Sequence, residues 1–128
     1  MSTKTNLLFV DDEKKIRELL HDAFSDEYNV YLAANGVSAL KLIAKNSIRI
    51  IYTDLQMPKM DGIELCKEIR KHDMISIICA VTGYTKLFEL QECREIGFDD
   101  YFKKPINLQE LMKSVKESER KLKRWLKQ

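Results

Sequence analysis

The sequence predicts one α/β domain with a parallel sheet at its centre. Short apolar runs alternate with helical patterns from end to end of the chain. Three of those runs are nearly unbroken in apolar character and rich in Ile, Val and Leu, which marks strands covered on both faces. The length, 128 residues, suits a single core.

The strand runs are "NLLFV" (6–10), "NVYLAA" (29–34), "IRIIYT" (48–53), "ISIICAV" (75–81) and "DYFK" (100–103). Between them, residues 13–25 place Ile16, Leu19, Leu20, Ala23 and Phe24 on one helical face. Residues 36–45 show Leu40, Ile43 and Ala44, and residues 62–71 show Ile63, Cys66 and Ile69. Residues 85–96 show Leu90, Cys93 and Ile96, closed by Gly97 as a helix C-cap. Asn107 opens a last helix, with Glu110 at capping-box spacing. Five strands alternating with five helices give right-handed crossovers and helices on both faces of the sheet.

Composition excludes several classes. Apolar residues make up 45% and charged residues 33%, an ordinary soluble mixture. Cys66, Cys79 and Cys93 are odd in number, lack any CxxC spacing and fall in apolar slots, so they read as reduced core thiols. The polar start, MSTKTN, is not a signal peptide, and no apolar run approaches a membrane span. A cytoplasmic location is expected. Net charge is +2, but residues 113–128 carry +5 and the preceding 112 carry −3. A mildly acidic body with a basic tail argues against a general nucleic-acid surface.

In an open parallel sheet, the ligand site lies beyond the carboxyl ends of the strands. Asp11 and Asp12 follow the first run, Asp54 the third, Thr82 and Gly83 the fourth, and Lys104-Pro105 the fifth. Each has a plain reading by itself. Asp11-Asp12-Glu13 suits a helix N-terminus, Asp54 suits a turn punctuated by Met57-Pro58, and Thr82-Gly83 and Lys104-Pro105 suit loops. Tyr101 suits a static core aromatic. Asp61-Gly62 starts a helix, and Met57 and Met60 pack a loop. His21 and His72 read as solvated helix-face residues.

Together the strand-end residues make a different chemistry. Three carboxylates at one rim resist full ionisation unless a cation joins them. Mg²⁺, which takes oxygen ligands and keeps several waters, is the expected ion, with Mn²⁺ as an alternative. An ionised Asp54 beside it is a nucleophile of the kind that forms aspartyl-phosphates. The incoming phosphoryl oxygens then need neutralising donors, which Lys104 and the Thr82 hydroxyl supply beside the ion. Gly83 is expected to leave the approach open.

The pieces "FVDDE" (9–13), "YTDLQMPKMDG" (52–62), "AVTGY" (80–84) and "DYFKKPI" (100–106) resemble the receiver domain of two-component response regulators. The resemblance covers about residues 5–117 and lies in four motifs in the right order. It implies a single (βα)5 flavodoxin-like three-layer sandwich with a parallel five-stranded sheet of order 2-1-3-4-5. It implies Asp54 as phospho-acceptor, with Asp12 and Asp54 as direct Mg²⁺ ligands, Asp11 acting mostly through water, and the Gln56 backbone carbonyl completing the set. Lys104 would pair with the phosphate, and Lys104-Pro105 would be cis. Thr82 and Tyr101 would be the switch pair, reshaping the surface of the fourth helix, fifth strand and fifth helix. Gln56 and Tyr84 occupy the positions that tune phosphoryl lifetime. Neither is acidic, so fast self-dephosphorylation is not expected. The implied partners are a sensor histidine kinase or phosphotransfer protein, and then a downstream protein, an output domain or a second copy on that face. Neither direct nucleic-acid binding nor a membrane is expected. Such a chain modifies itself and is not an enzyme in the turnover sense.

Three other classes share features with this pattern. A dehalogenase-like phosphatase needs a DxD arrangement and a cap, whereas Asp54 is followed by Leu55 and Gln56 and the length leaves no room for a cap. A flavin-binding flavodoxin needs a Ser/Thr/Gly-rich loop after the first strand, which is missing. A phosphorylation-independent adaptor with the same fold stays open as the alternative.

The last helix has its own pattern. Leu108, Leu111, Val115, Ser118, Leu122 and Trp125 fall at alternating spacings of three and four, a heptad seam with one polar break. The domain boundary is placed at 1–117, with 118–128 a basic helical extension that runs past the body. A frayed helix end, a linker helix and a basic patch are the three readings of that extension.

Overall fold

Every strand among the described residues alternates its side chains between two cores. The computed structural model describes residues 4–83 and 90–126. The strands are β1 (Thr5–Val10), β2 (Tyr28–Ala33), β3 (Ile50–Asp54), β4 (Ile77–Thr82) and β5 (Asp100–Lys103). The helices between and after them are α1 (Lys14–Phe24), α2 (Gly36–Lys45), α3 (Gly62–Arg70), α4 (Leu90–Ile96) and α5 (Leu108–Leu126). The sheet order is β2-β1-β3-β4-β5 with every pairing parallel, as expected.

Successive strand residues point to opposite faces. Leu7, Phe9, Ile50, Tyr52, Ile77, Cys79 and Val81 therefore join Leu20 and Phe24 of α1 and Leu111, Val115 and Leu122 of α5. Leu8, Val10, Ile51, Ile78 and Ala80 face the other way, against Ala39 of α2, Leu65, Cys66 and Ile69 of α3 and Cys93 of α4. Phe9 is an aromatic hub, with ring centres 5.1 Å from Phe24 and 5.8 Å from Tyr52. All three cysteines are free and buried. Burial pushes the Cys66 thiol up to about 11 and the Cys93 thiol up to about 12, so both stay protonated.

The helix ends follow local chemistry. Asp61 caps α3 with a reciprocal capping box to Glu64. The Asn107 side chain accepts from Glu110 N–H at 3.1 Å. Gly97 closes α4 at φ 125°, a backbone region that favours glycine. The predicted start of the fourth helix, residues 85–89, lies outside the described residues.

Two strand starts are corrected, each by two residues. The fourth strand begins at Ile77, not residue 75. The Asp73 carboxylate takes the N–H groups of Ile75 and Ser76 at 2.8 and 2.9 Å, and the Ser76 hydroxyl at 2.6 Å, so those amides serve a turn instead of the ladder. The third strand likewise begins at Ile50, because Ile48 N–H turns back onto Asn46 O. The seam of α5 also packs further than residue 117. Ser118 and Leu122 are buried, and the Thr5 hydroxyl donates to Glu119. Residues 118–122 thus belong to the packed body, and the apolar stripe leaves it only at Trp125, which is 62% exposed.

Candidate functional site

The carboxyl ends of β1, β3, β4 and β5 meet at one rim. Asp11 directly follows β1, and its N–H donates to Ala33 O at 3.0 Å, carrying the pairing one residue past the strand. Asp54 is the last residue of β3. Both are buried, whereas Asp12 is exposed. Carboxylate oxygens of Asp11, Asp12 and Asp54 lie within 4.8 Å of one another. Lys104 reaches the same point from the end of β5: its Nζ donates to Asp11 Oδ2 at 3.0 Å and Asp54 Oδ2 at 3.1 Å. Lys104 N–H bonds Thr82 O at 2.9 Å, which ties the end of β5 to the end of β4. Thr82 is fully buried there. The Lys104–Pro105 peptide is cis.

The two buried carboxylates are aimed by the main chain. Asp54 Oδ1 accepts from the N–H groups of Leu55 at 2.7 Å and Gln56 at 3.4 Å. Asp11 Oδ1 accepts from Glu13 N–H at 2.9 Å. The acids after β1 are therefore not helix caps: Glu13, at the N-cap of α1, makes no side-chain cap bond, and the first turn of α1 holds no acid. Burial pushes Asp54 above the usual carboxylate range, the Lys104 hydrogen bond and charge pull it back in part, and Asp11 adds to the rise. Burial pulls the Lys104 ammonium down, but its bonds to Asp11 and Asp54 outweigh that and leave it above the ordinary lysine value.

The loop after Asp54 is sealed from both sides. Gly62 N–H bonds Leu55 O at 3.1 Å, and a Cβ on Gly62 would stand 2.1 Å from Asp54 O. Met60 N–H bonds Pro58 O at 2.9 Å, with φ 71° at Lys59, a γ-turn about that residue. Met60 O accepts from Gly36 N–H at 3.0 Å, and a Cβ on Gly36 would meet Met60 Cγ at 2.5 Å.

The remaining predicted residues fall as follows. Gln56 is exposed beside Asp54. Tyr101 is half-buried on β5 and packs against the core on the α3 and α4 side. Pro58 sits in the γ-turn, and Tyr84 lies outside the described residues. Gly83 faces open space, since a Cβ there would meet nothing within 4 Å. His21 and His72 are exposed. Sequence reasoning missed Arg17, whose Nη1 donates to Asp11 O at 2.8 Å. It also missed Gly36.

The donor set tests well for a hard divalent cation. It is all oxygen, two acids are fixed by main-chain N–H groups, and the exposed third leaves room for water. Asp11, Asp12 and Asp54 would hold Mg²⁺.

Known proteins share this fold. The response regulator receiver domain family model matches residues 7–116, and the chain belongs to that family. Sporulation initiation phosphotransferase F of Bacillus subtilis (strain 168) is 36% identical over 111 residues, covering 86% of this chain and 90% of that protein. A probable transcriptional regulator, ycf27, of Cyanidium caldarium is 41% identical over 107 residues, covering 83% of this chain but only 43% of that protein. Among solved structures, the chemotaxis response regulator CheY4 of Vibrio cholerae superposes with a TM-score of 0.82 at 30% identity, covering 91% of this chain and 99% of that one. Among the described residues, no helix is long and apolar enough to cross a membrane.

Proposed function

We propose that Asp54 accepts a phosphoryl group from a histidine kinase or phosphotransfer protein, and that the modified domain switches conformation to control a partner or output domain. The observation that carries this reading is Lys104 Nζ, 3.1 Å from Asp54 Oδ2 at a rim that also gathers Asp11 and Asp12. A bound Mg²⁺ supplies charge neutralisation among the three carboxylates and on the incoming phosphoryl oxygens.

The chain's own residues do the rest. An Asp54 carboxylate oxygen attacks phosphorus in line; the new O–P bond forms as the P–N bond to the donor imidazole breaks, and the imidazole keeps that electron pair. Lys104 turns from the carboxylates to the phosphoryl oxygens, so one ammonium serves both states. The N–H groups of Leu55 and Gln56 hold the attacking carboxylate. The Thr82 hydroxyl donates to a phosphoryl oxygen, and Tyr101 follows behind it, changing the α4, β5 and α5 surface. That surface would meet a downstream protein or a second copy. Gln56 and Tyr84, being non-acidic, would give a slow loss of phosphate, and a half-life of seconds would contradict that. Resemblance to a protein named a phosphotransferase, over 90% of its length, supports a place in a phosphorelay.

The test is beryllofluoride, a phosphoryl mimic that seats on a carboxylate, added with Mg²⁺ while amide NMR shifts are recorded. Shifts at Thr82, Tyr101 and α5 that vanish in Asp54→Asn support the switch. An unchanged spectrum favours the phosphorylation-independent adaptor.

A further inference from the structure

We propose that Arg17 is a positioning residue for the metal: it holds the Asp11 main chain so that the carboxylates of Asp11 and Asp12 stay aimed at the ion. The inference rests on reading the rim as a divalent-cation and phosphoryl site.

The start of α1 sets the puzzle. Its first turn carries Lys14 and Lys15, with Arg17 just after, and no acid. Cations there run against the helix dipole, which favours anions at an N-terminus. Lys14 pairs with Glu18 at 3.8 Å on the surface. Arg17 instead folds back, half-buried, to donate from Nη1 to the Asp11 carbonyl at 2.8 Å. A planar guanidinium donates from a preformed fork, which suits the fixing of one backbone group.

Asp11 is held at every polar atom. Its N–H is on Ala33 O, its carbonyl on Arg17, its Oδ1 on Glu13 N–H and its Oδ2 on Lys104. An ion held by Asp11, Asp12 and Asp54 would compete with Lys104 for the carboxylate oxygens. The Arg17 bond is to the main chain, so it takes none of the carboxylate oxygens that an ion would use. Arg17 is then the side chain that fixes the β1–α1 turn in both states, and through that turn the exposed Asp12. Outer partners that orient metal ligands typically change affinity by about 10- to 100-fold when removed.

The test is Mg²⁺ titration by calorimetry on wild type, Arg17→Ala and Arg17→Lys, with thermal unfolding of each in EDTA. The expected result is a loss of about 10-fold or more in Mg²⁺ affinity for Arg17→Ala, partial recovery in Arg17→Lys, and an unfolding midpoint in EDTA that falls too little to account for the loss. Affinity equal to wild type in Arg17→Ala overturns the proposal. So does an affinity loss that only tracks the loss of fold in EDTA. If wild type itself binds no Mg²⁺, the reading of the site fails first, and that outcome is distinct because it needs no variant.

Discussion

Lys104 and Asp54, fifty residues apart in the chain, are held with Nζ 3.1 Å from Oδ2, and the same ammonium lies 3.0 Å from Asp11 Oδ2. One cation thus compensates two buried acids. Lys104→Met leaves both without it, and removing one partner of a buried pair is costly. The expected loss of stability in EDTA is about 2–3 kcal/mol, read by urea unfolding at neutral pH. The sign with pH follows from the raised folded value of Lys104. Its contribution is full below the ordinary lysine value of 10.5 and is lost as pH rises through the folded value. The difference between wild type and Lys104→Met therefore narrows at strongly alkaline pH.

Asp54 behaves in the opposite sense. Burial raises its folded value above the ordinary 3.8, so the folded state binds its proton more readily than the unfolded state does. Stability is then lost as pH rises from 3.8 through the raised value. Asp54→Asn escapes that loss. In EDTA it is expected to be at least as stable as wild type at neutral pH, and the advantage closes as the pH falls to the ordinary carboxylate range. A variant less stable than wild type at neutral pH contradicts this reading.

Two glycines near the rim differ in what they permit. A Cβ on Gly62 would lie 2.1 Å from Asp54 O, a backbone atom that cannot step aside, whereas a Cβ on Gly83 meets nothing within 4 Å. Gly62→Ala is expected to cost about 3 kcal/mol or more and to displace Asp54. Gly83→Ala is expected to be neutral or to stabilise by up to about 1 kcal/mol. Chemical denaturation of the pair checks both.

The end of α5 divides at one turn. Leu122 is 6% exposed in the core beneath the sheet, and Trp125 is 62% exposed. Leu122→Ala is expected to cost about 2–5 kcal/mol, and Trp125→Ala to stay within about 0.5 kcal/mol. Equal effects would place the edge of the packed body elsewhere.

The alternation of strands and helices was legible because its signals are local and repeated, whereas the sheet order was implied only by the family resemblance. Ile-rich runs mark strands covered on both faces, and each chemical residue follows directly on a run. What the sequence hid depends on particular contacts that leave no periodic signal. Asp73 takes the amides that the fourth run would otherwise give to the ladder. How far α5 stays buried depends on where the sheet ends beneath it, which no helical period encodes. Gly36 matters because Met60 lies against it. Arg17 bonds a carbonyl, and a carbonyl has no residue signature. Its one signal was a cation early in a helix whose dipole disfavours it.

The most direct test of the central claim is the intact mass of the protein after incubation with acetyl phosphate and Mg²⁺. Wild type is expected to gain one phosphoryl group, and neither Asp54→Asn nor wild type in EDTA should gain any. A gain that persists in Asp54→Asn would contradict Asp54 as the acceptor, and a gain unchanged in EDTA would contradict the role given to the three carboxylates.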